Sequence, residues 1–408
     1  MASSQRKLPR SVTLFGLVSL LNDFASEMIY PLLPTLVTGV LGGGAAALGA
    51  LDGAAEFTAA IVKYGAGKLA DQPRRRGALV IWGYAVAVLV RPVIALAAAA
   101  WQVIGLRVAD RIGKGVRTPP RDALIADVTP PELLGRAFGL QRGLDHAGAV
   151  LGPLAAWWLL TSHRADIRGV IAASIVPGVA VLVLAVWAVK GGQGRAGAGK
   201  DGQGEPRPAS IDLARPRPSS PVLARPPLPL LAISTFYLLR MPETLVILRT
   251  QELGVPVTAV LILWAALHVI RSTASFVGGA WSDRFGAGRT MWLGWVSYAA
   301  IALGFARAQG PAAAWILFLV LGIVAGLTES PERAIVSRLA GQRQGTGFGV
   351  YHSGTGLAAL IGGLLLGLVY QRVGAVAAFG ASAGGGAVLA ALWPALAARG
   401  KLTPGPNG

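Results

Sequence analysis

The 408 residues include no cysteine, which excludes disulfides, thiolate nucleophiles and thiolate metal sites. Charge is scarce as well. Only 14% of residues are Asp, Glu, Lys or Arg, against about 25% in a typical soluble domain. A chain this poor in charge leaves much of its surface to lipid. Histidine is confined to four scattered positions, His146, His163, His268 and His352. None has metal-ligand spacing or an evident nucleophile partner, so no metal and no cofactor is expected. The same point weighs against a membrane enzyme using His146 or His352 as a base.

What fills the chain instead is apolar: 53% of residues are hydrophobic and the mean hydropathy is +0.57. Runs of roughly 17–25 apolar residues, the length that crosses a bilayer, recur along almost the whole sequence. Twelve are read, at 11–38, 45–66, 77–97, 99–119, 136–160, 168–189, 229–250, 257–280, 290–308, 312–331, 346–370 and 375–396. Spans 1 and 4 are interrupted by charges and rest on their neighbours and on an even total. The first run lacks a small-residue cleavage site and is not read as a signal peptide. The expectation is an all-α membrane protein of twelve transmembrane helices in two pseudo-symmetric six-helix bundles.

Residues 191–227 are Gly, Pro, Arg and Ser with few apolar positions, the composition of a flexible linker. They divide a bundle at 1–190 from one at 228–400, with a disordered tail at 401–408. The net charge of +18 sits in short loops beside spans, at Arg6, Lys7 and Arg10, at Arg74 to Arg76, and from Lys190 to Arg225. That is the positive-inside pattern of cytoplasmic loops. It places both termini in the cytoplasm, with anionic lipid rather than nucleic acid as the partner. The expected location is a bacterial inner membrane, crossed many times.

The two halves carry related motifs. GKLADQPRRR at 67–76 lies between spans 2 and 3, and GGAWSDRFGAGR at 278–289 lies between spans 8 and 9. PRDALIAD at 120–127, followed by GRAFGLQRG, corresponds to PERAIVSR at 331–338, followed by GTGFGVYHS. Such weak parallel repeats mark transporters built from two related bundles. Glycines at 67 and 279 are expected to let span ends approach closely. Asp71 can accept from exposed N–H groups at a neighbouring helix start, and the arginines after it can pair with a carboxylate. The loop reads as a latch that closes the cytoplasmic side in one state.

On these motifs the chain resembles the major facilitator superfamily over roughly residues 11 to 396. The first loop matches through Gly67, Asp71, Arg75 and Arg76, and the second through Gly279, Asp283, Arg284, Gly286 and Arg289. GLDHAGAVLGP in span 5 resembles the glycine-rich stretch of antiporters, through Gly143, Gly148, Gly152 and Pro153. SLLNDFASEMIYPLLP together with span 4 looks like a subgroup of bacterial members regarded as exporters. Two departures stand out: Gln72-Pro73 replaces an Arg-x-Gly, and span 4 is more charged than the usual single-arginine pattern. The resemblance implies the major facilitator fold and alternating access by a monomer, and leaves the substrate open.

Ionisable residues inside spans are costly and normally face a cavity. Asp23 and Glu27 lie four apart in span 1, with Asn22 beside them, and Asp52 and Glu56 repeat the spacing in span 2. Arg107, Arg111 and Lys114 form a stripe on span 4, interleaved with Asp110. Arg142, Asp145 and His146 follow in span 5. Mutual pairing of these charges to lower insertion cost is the plain alternative to function for each of them. A proton-coupled carrier needs a carboxylate whose proton affinity changes as access alternates. Asp23 and Glu27 are the first candidates, with Arg107 or Arg111 as counter-charge, and Glu56 and Asp145 the next. Further cavity candidates are Tyr30, Tyr237, Arg240, Glu243, Trp264, Glu329 and His352. Arg240 and Glu243 are spaced to pair, and Met241-Pro242 marks a kink. Pro119-Pro120 and Pro130-Pro131 bracket a short amphipathic stretch expected at the cytoplasmic surface.

The leading expectation is a secondary transporter, a proton-coupled exporter of a small organic molecule of anionic or zwitterionic character. Importing a solute and exporting a metal ion or chelate stay open as alternatives. A non-transporting receptor would not need ionisable residues on facing helices of both halves.

Overall fold

The computed structural model describes residues 8–70, 72–130, 133–198, 228–340 and 344–399, which are helical with short turns and contain no strand. The first half comprises α1 (Arg10–Ile29), α2 (Ala45–Ala70), α3 (Pro73–Val93), α4 (Ala100–Val128), α5 (Leu134–Thr161), α6 (Ile167–Ala173) and α7 (Ile175–Ala198). The second comprises α8 (Leu228–Leu239), α9 (Glu243–Glu252), α10 (Val257–Phe285), α11 (Ala287–Arg307), α12 (Pro311–Ala340), α13 (Gln344–Arg372) and α14 (Ala375–Arg399). Helices α6 and α7 make one pass, as do α8 and α9. Nine stretches among the described residues are long and apolar enough to cross a membrane. Helices α4, α5 and α11 supply the remaining three passes, so the architecture is the expected twelve-helix, two-bundle membrane fold.

In lipid, helices associate through close packing of small residues rather than by a hydrophobic drive. The sequence supplies those residues in register. A Cβ on Gly148 or Gly152 of α5 would collide with the carbonyls of Leu20 and Phe24 of α1. In the second half, a Cβ on Gly362 of α13 would collide with the Leu238 carbonyl of α8. The two halves therefore use equivalent helices in equivalent ways. Between the halves, the tightest pairing in the molecule is α2 with α13. There Gly49 and Gly363 face one another, and a Cβ on either would strike the other's carbonyl.

Four local expectations are corrected. Added Cβ atoms at Gly67 and Gly279 would meet nothing within 4 Å, so neither mediates a close approach in this conformation. Their neighbour Gly278 does, against the Gly326 carbonyl of α12. Helix α4 runs straight through Pro119 and Pro120 to Val128. Proline φ is compatible with a helix, and only two ladder bonds are lost. The end of α4 is also held in place, because Leu124 and Ile125 are buried in one cluster with Val12, Phe15 and Tyr84. Its other face stays exposed at Ala126 and Asp127, so the stretch is amphipathic but is the end of α4 rather than a separate surface element. Helix α7 continues to Ala198, eight residues into the segment read as linker (191–198); the rest of the linker (199–227) and the tail (400–408) lie outside the described residues.

The fourth correction concerns Met241-Pro242, where span 7 is broken rather than kinked. Helix α8 stops at Leu239 and α9 restarts at Glu243. Broken backbone at membrane depth needs its freed groups satisfied by protein. Tyr298 of α11 accepts from the Met241 N–H at 2.7 Å. Its hydroxyl also bonds Ser382 of α14 at 2.6 Å, and Ser382 donates to the Leu239 carbonyl at 2.6 Å.

Replacing Gly148 with Leu should destabilise the protein by about 1–3 kcal/mol or more, because the carbonyl it would strike belongs to a packed helix. Gly67→Ala should change stability by less than about 1 kcal/mol, toward a slight gain from helix propensity. Thermal unfolding of the two purified variants in detergent checks the contrast.

Candidate functional site

Helix α1 starts at the end of the bundle that carries Arg10, Arg74 to Arg76 and Lys190, here termed the basic end. Asn22, Asp23, Glu27 and Tyr30 therefore lie progressively deeper toward the far end. Helix α4 runs the opposite way, which sets Arg107 at the depth of Tyr30. The Arg107 guanidinium sits 4.9 Å above the Tyr30 ring. Tyr30 in turn lies 5.1 Å from the Trp264 ring of α10, and Trp264 lies 5.3 Å from His268. The Trp264 indole N–H donates to Glu27 at 3.0 Å, and His268 Nε2 is 3.8 Å from the same carboxylate oxygen. Glu27, Tyr30, Arg107 and Trp264, chosen from the sequence as separate candidates, thus form one cluster spanning both halves.

The expected counter-charges are shared rather than dedicated. Arg107 and Arg111 make their close contacts with Asp110, at 3.3 and 3.8 Å, while Glu27 remains a favourable charge for both and takes its close contact from Trp264. Asp110 is 1% exposed and also takes Arg91 of α3 at 2.9 Å. Asn22 braces the same group: its backbone and side-chain oxygens accept from Arg91 at 3.0 and 3.1 Å, and Arg117 reaches its side-chain oxygen at 3.2 Å. Asn22 is buried with every side-chain atom engaged, since its NH2 donates to Asp23 at 3.0 Å. It is a bracket for α1, α3 and α4 rather than a free cavity residue. Arg91 escaped the sequence reading, although a single arginine in an otherwise apolar span signals a buried partner.

In the second half, the break in span 7 exposes Glu243 to two arginines, Arg271 at 2.6 Å and Arg240 at 3.3 Å. Tyr237 and Tyr351 both donate to one oxygen of Glu332, at 3.1 and 2.9 Å. Glu332 is 1% exposed and no ion pair reaches it among the described residues. His352 packs beside Tyr351, with ring centroids 4.9 Å apart.

Polar bonds crossing between the halves lie between Glu27 and the far end. Besides the Glu27 contacts they include Gln251 to Thr35 at 2.9 Å, the Ala46 N–H to Gln371 at 3.1 Å, and Thr244 to Asp52 at 2.9 Å and to the Leu48 carbonyl at 3.2 Å. Toward the basic end, side chains instead face open space. Arg142 is 58% exposed and meets Asp145 at 3.6 Å; Arg333 is 56% exposed and meets Glu329 at 3.8 Å. Glu56 is exposed, and Asp23, Lys63, Lys114 and His146 are half-buried. Among the described residues the side chains of Lys63, Lys114 and Glu56 make no hydrogen bond or ion pair; Lys63 has Glu56 as a favourable charge nearby, and Lys114 has Asp23 and Asp145. The halves are thus bonded to each other toward the far end, while charged side chains are exposed toward the basic end.

The loop residues read as a latch are apart here. Arg76 pairs with Asp127 at 2.5 Å and donates to the Ala70 carbonyl at 2.6 Å. Arg75, Asp283, Arg284 and Arg289 are exposed, and Asp71 lies outside the described residues. No group of three or more His, Asp or Glu side chains converges as metal ligands among the described residues.

The family model of the Major Facilitator Superfamily matches residues 15–351 and, in a second alignment, 250–407. An uncharacterised MFS-type transporter of Methanocaldococcus jannaschii is 29% identical over 376 residues, 90% of each chain. The multidrug resistance protein MdtH of Photorhabdus laumondii is 31% identical over 162 residues, 39% of each chain. Among solved structures, a bacterial homologue of the human lysosomal transporter Spinster, inward-facing and unoccupied, matches with a TM-score of 0.69. That match covers 99% of this chain and 100% of the other at 16% identity, a likeness of fold alone.

Asp110→Asn removes the shared carboxylate from Arg91, Arg107 and Arg111 and should cost about 3–5 kcal/mol, the penalty for orphaning buried charge. Glu27→Gln removes no cation's main partner and should cost far less. Unfolding midpoints of the two variants, compared side by side, measure the difference.

Proposed function

Because the chain belongs to the major facilitator superfamily and is a multi-pass membrane transporter rather than an enzyme, we propose that it exports a small organic molecule in exchange for protons. The two bundles rock about the central cluster, and Glu27 carries the coupling proton. The observation that supports this assignment is the position of Glu27 at the seam. Its carboxylate belongs to one half, and its close partners, Trp264 and His268, belong to the other. Rocking must break those contacts, so the environment of that carboxylate changes with access. A group buried by its own bundle, such as Asp110, keeps its partners in every state and cannot report the motion.

Export is favoured by the span 5 glycines and by the partial likeness to a multidrug resistance protein. Lys63, Lys114 and Glu56, whose side chains make no close ion pair among the described residues, supply groups of both signs toward the basic end. This fits an anionic or zwitterionic substrate. The basic end is read as cytoplasmic from the positive-inside pattern, so the conformation is inward-open. In the opposite state Asp71 and Asp283, with the arginines beside them, close that end. The exposure of Asp283 here suits a latch that is undone.

Screening the purified protein by thermal shift against organic anions, zwitterions and cations identifies a ligand. That ligand should drive proton movement in vesicles containing the wild-type protein. Glu27→Gln should keep the thermal shift and lose the proton movement; persistence of proton movement would place coupling on another group. Asp283→Asn should slow transport without altering ligand binding.

A further inference from the structure

The far end of the cavity is held by an arrangement that neither half completes alone. Helix α9 begins at Glu243 after the break in span 7, and its preceding residue, Pro242, offers no side-chain cap. Glu243, the acid in its first turn, is taken by Arg271 and Arg240. The next N–H, that of Thr244, is fully buried, with the residue 0% exposed. A helix start buried without an acceptor is unfavourable, and its partial positive charge favours a carboxylate. The acceptor comes from the other half. Asp52 of α2 takes the Thr244 N–H at 3.0 Å and the Thr244 hydroxyl at 2.9 Å on one oxygen. Its second oxygen takes the Tyr30 hydroxyl at 2.9 Å.

We propose that Asp52 is the far-side gate latch, a helix cap supplied across the seam between the bundles, and that Tyr30 connects this latch to the central site. When the far side opens, α2 leaves α9, the start of α9 loses its acceptor, and water entering the vestibule takes the place of Asp52. The latch therefore holds only while the far side is dry. Tyr30 carries the link because its two ends serve different neighbours. Its hydroxyl is on Asp52, while its ring lies under Arg107 and against Trp264, which holds Glu27. A change at the central cluster that moves the ring pulls on the latch. Tyr30 is thus a positioning residue for the gate and not a free substrate contact.

This inference rests on the alternating-access reading, and its test needs no substrate. The chain has no cysteine, so Leu48→Cys gives a single thiol. Leu48 is 0% exposed, and its carbonyl is within reach of the Thr244 hydroxyl at 3.2 Å. In nanodiscs, where both faces are accessible, a polar maleimide should label this thiol slowly. Adding Asp52→Ala should speed labelling roughly tenfold or more, as expected when about 1.4 kcal/mol of closing free energy is lost. Tyr30→Phe, which deletes one hydroxyl and keeps the ring, should give a smaller rise, as should Thr244→Val. Unchanged labelling in a folded Asp52→Ala protein overturns the latch. If Asp52→Ala does not fold, Tyr30→Phe decides: a rise supports the connection and no change overturns it. Intact transport alongside unchanged labelling would remove the latch and leave the transport reading standing.

Discussion

Everything in this molecule answers to one constraint: charge and open backbone inside a bilayer must be satisfied by protein. Asp110 shows how strictly. It is 1% exposed and collects Arg91, Arg107 and Arg111 from two helices, while Asn22 fastens α1 to the same group. Removing two charges from water is expensive, and their attraction offsets it only when geometry and hydrogen bonding are complete. The group ties α1, α3 and α4 together. Such a tie is what the proposed rocking mechanism requires, because it would confine bundle motion to the seam.

The second half meets the same constraint with backbone. Span 7 breaks at Met241-Pro242, and the freed groups go to Tyr298 and Ser382 on one side. The start of α9 goes to Asp52 on the other. A continuous helix would have needed none of these partners. The break thus makes the far end of span 7 depend on the opposite bundle, whereas its α8 portion depends only on its own. A pass divided in this way has one fixed part and one part whose environment changes when the bundles separate.

Much of this was legible in the sequence. Span count, the duplication and the seam candidates Glu27, Tyr30, Arg107 and Trp264 follow from apolar run lengths and from charges in costly places. Partner choice was not legible. Spacing places Asp23 and Glu27 on one face but cannot say that Glu27 reaches Trp264, 237 residues away. Arg107 stays within its own helix pair. The prolines of α4 were read as a helix end, because local propensity is visible in sequence and the burial of Leu124 and Ile125 that overrides it is not. Gly67 and Gly279 illustrate the converse. Their positions in the repeated loop suggested close packing, yet in this conformation the contact falls to Gly278.

Two seam carboxylates, Glu27 and Asp52, can now be assigned different physical work. Asp52 accepts from three donors, a backbone N–H, a threonine hydroxyl and a tyrosine hydroxyl. All three donors come from outside α2, two of them from the opposite half, so these bonds join the bundles. Glu27 accepts one indole N–H and stands 3.8 Å from an imidazole. With acceptor capacity in reserve and an ionisable neighbour across the seam, it suits exchange of a proton or a ligand contact better than permanent bonding. Tyr30 lies between them, its hydroxyl on one and its ring against the partner of the other. If Asp52 is the latch and Glu27 the coupling group proposed above, a single side chain joins them, and closure of one end then responds to the centre.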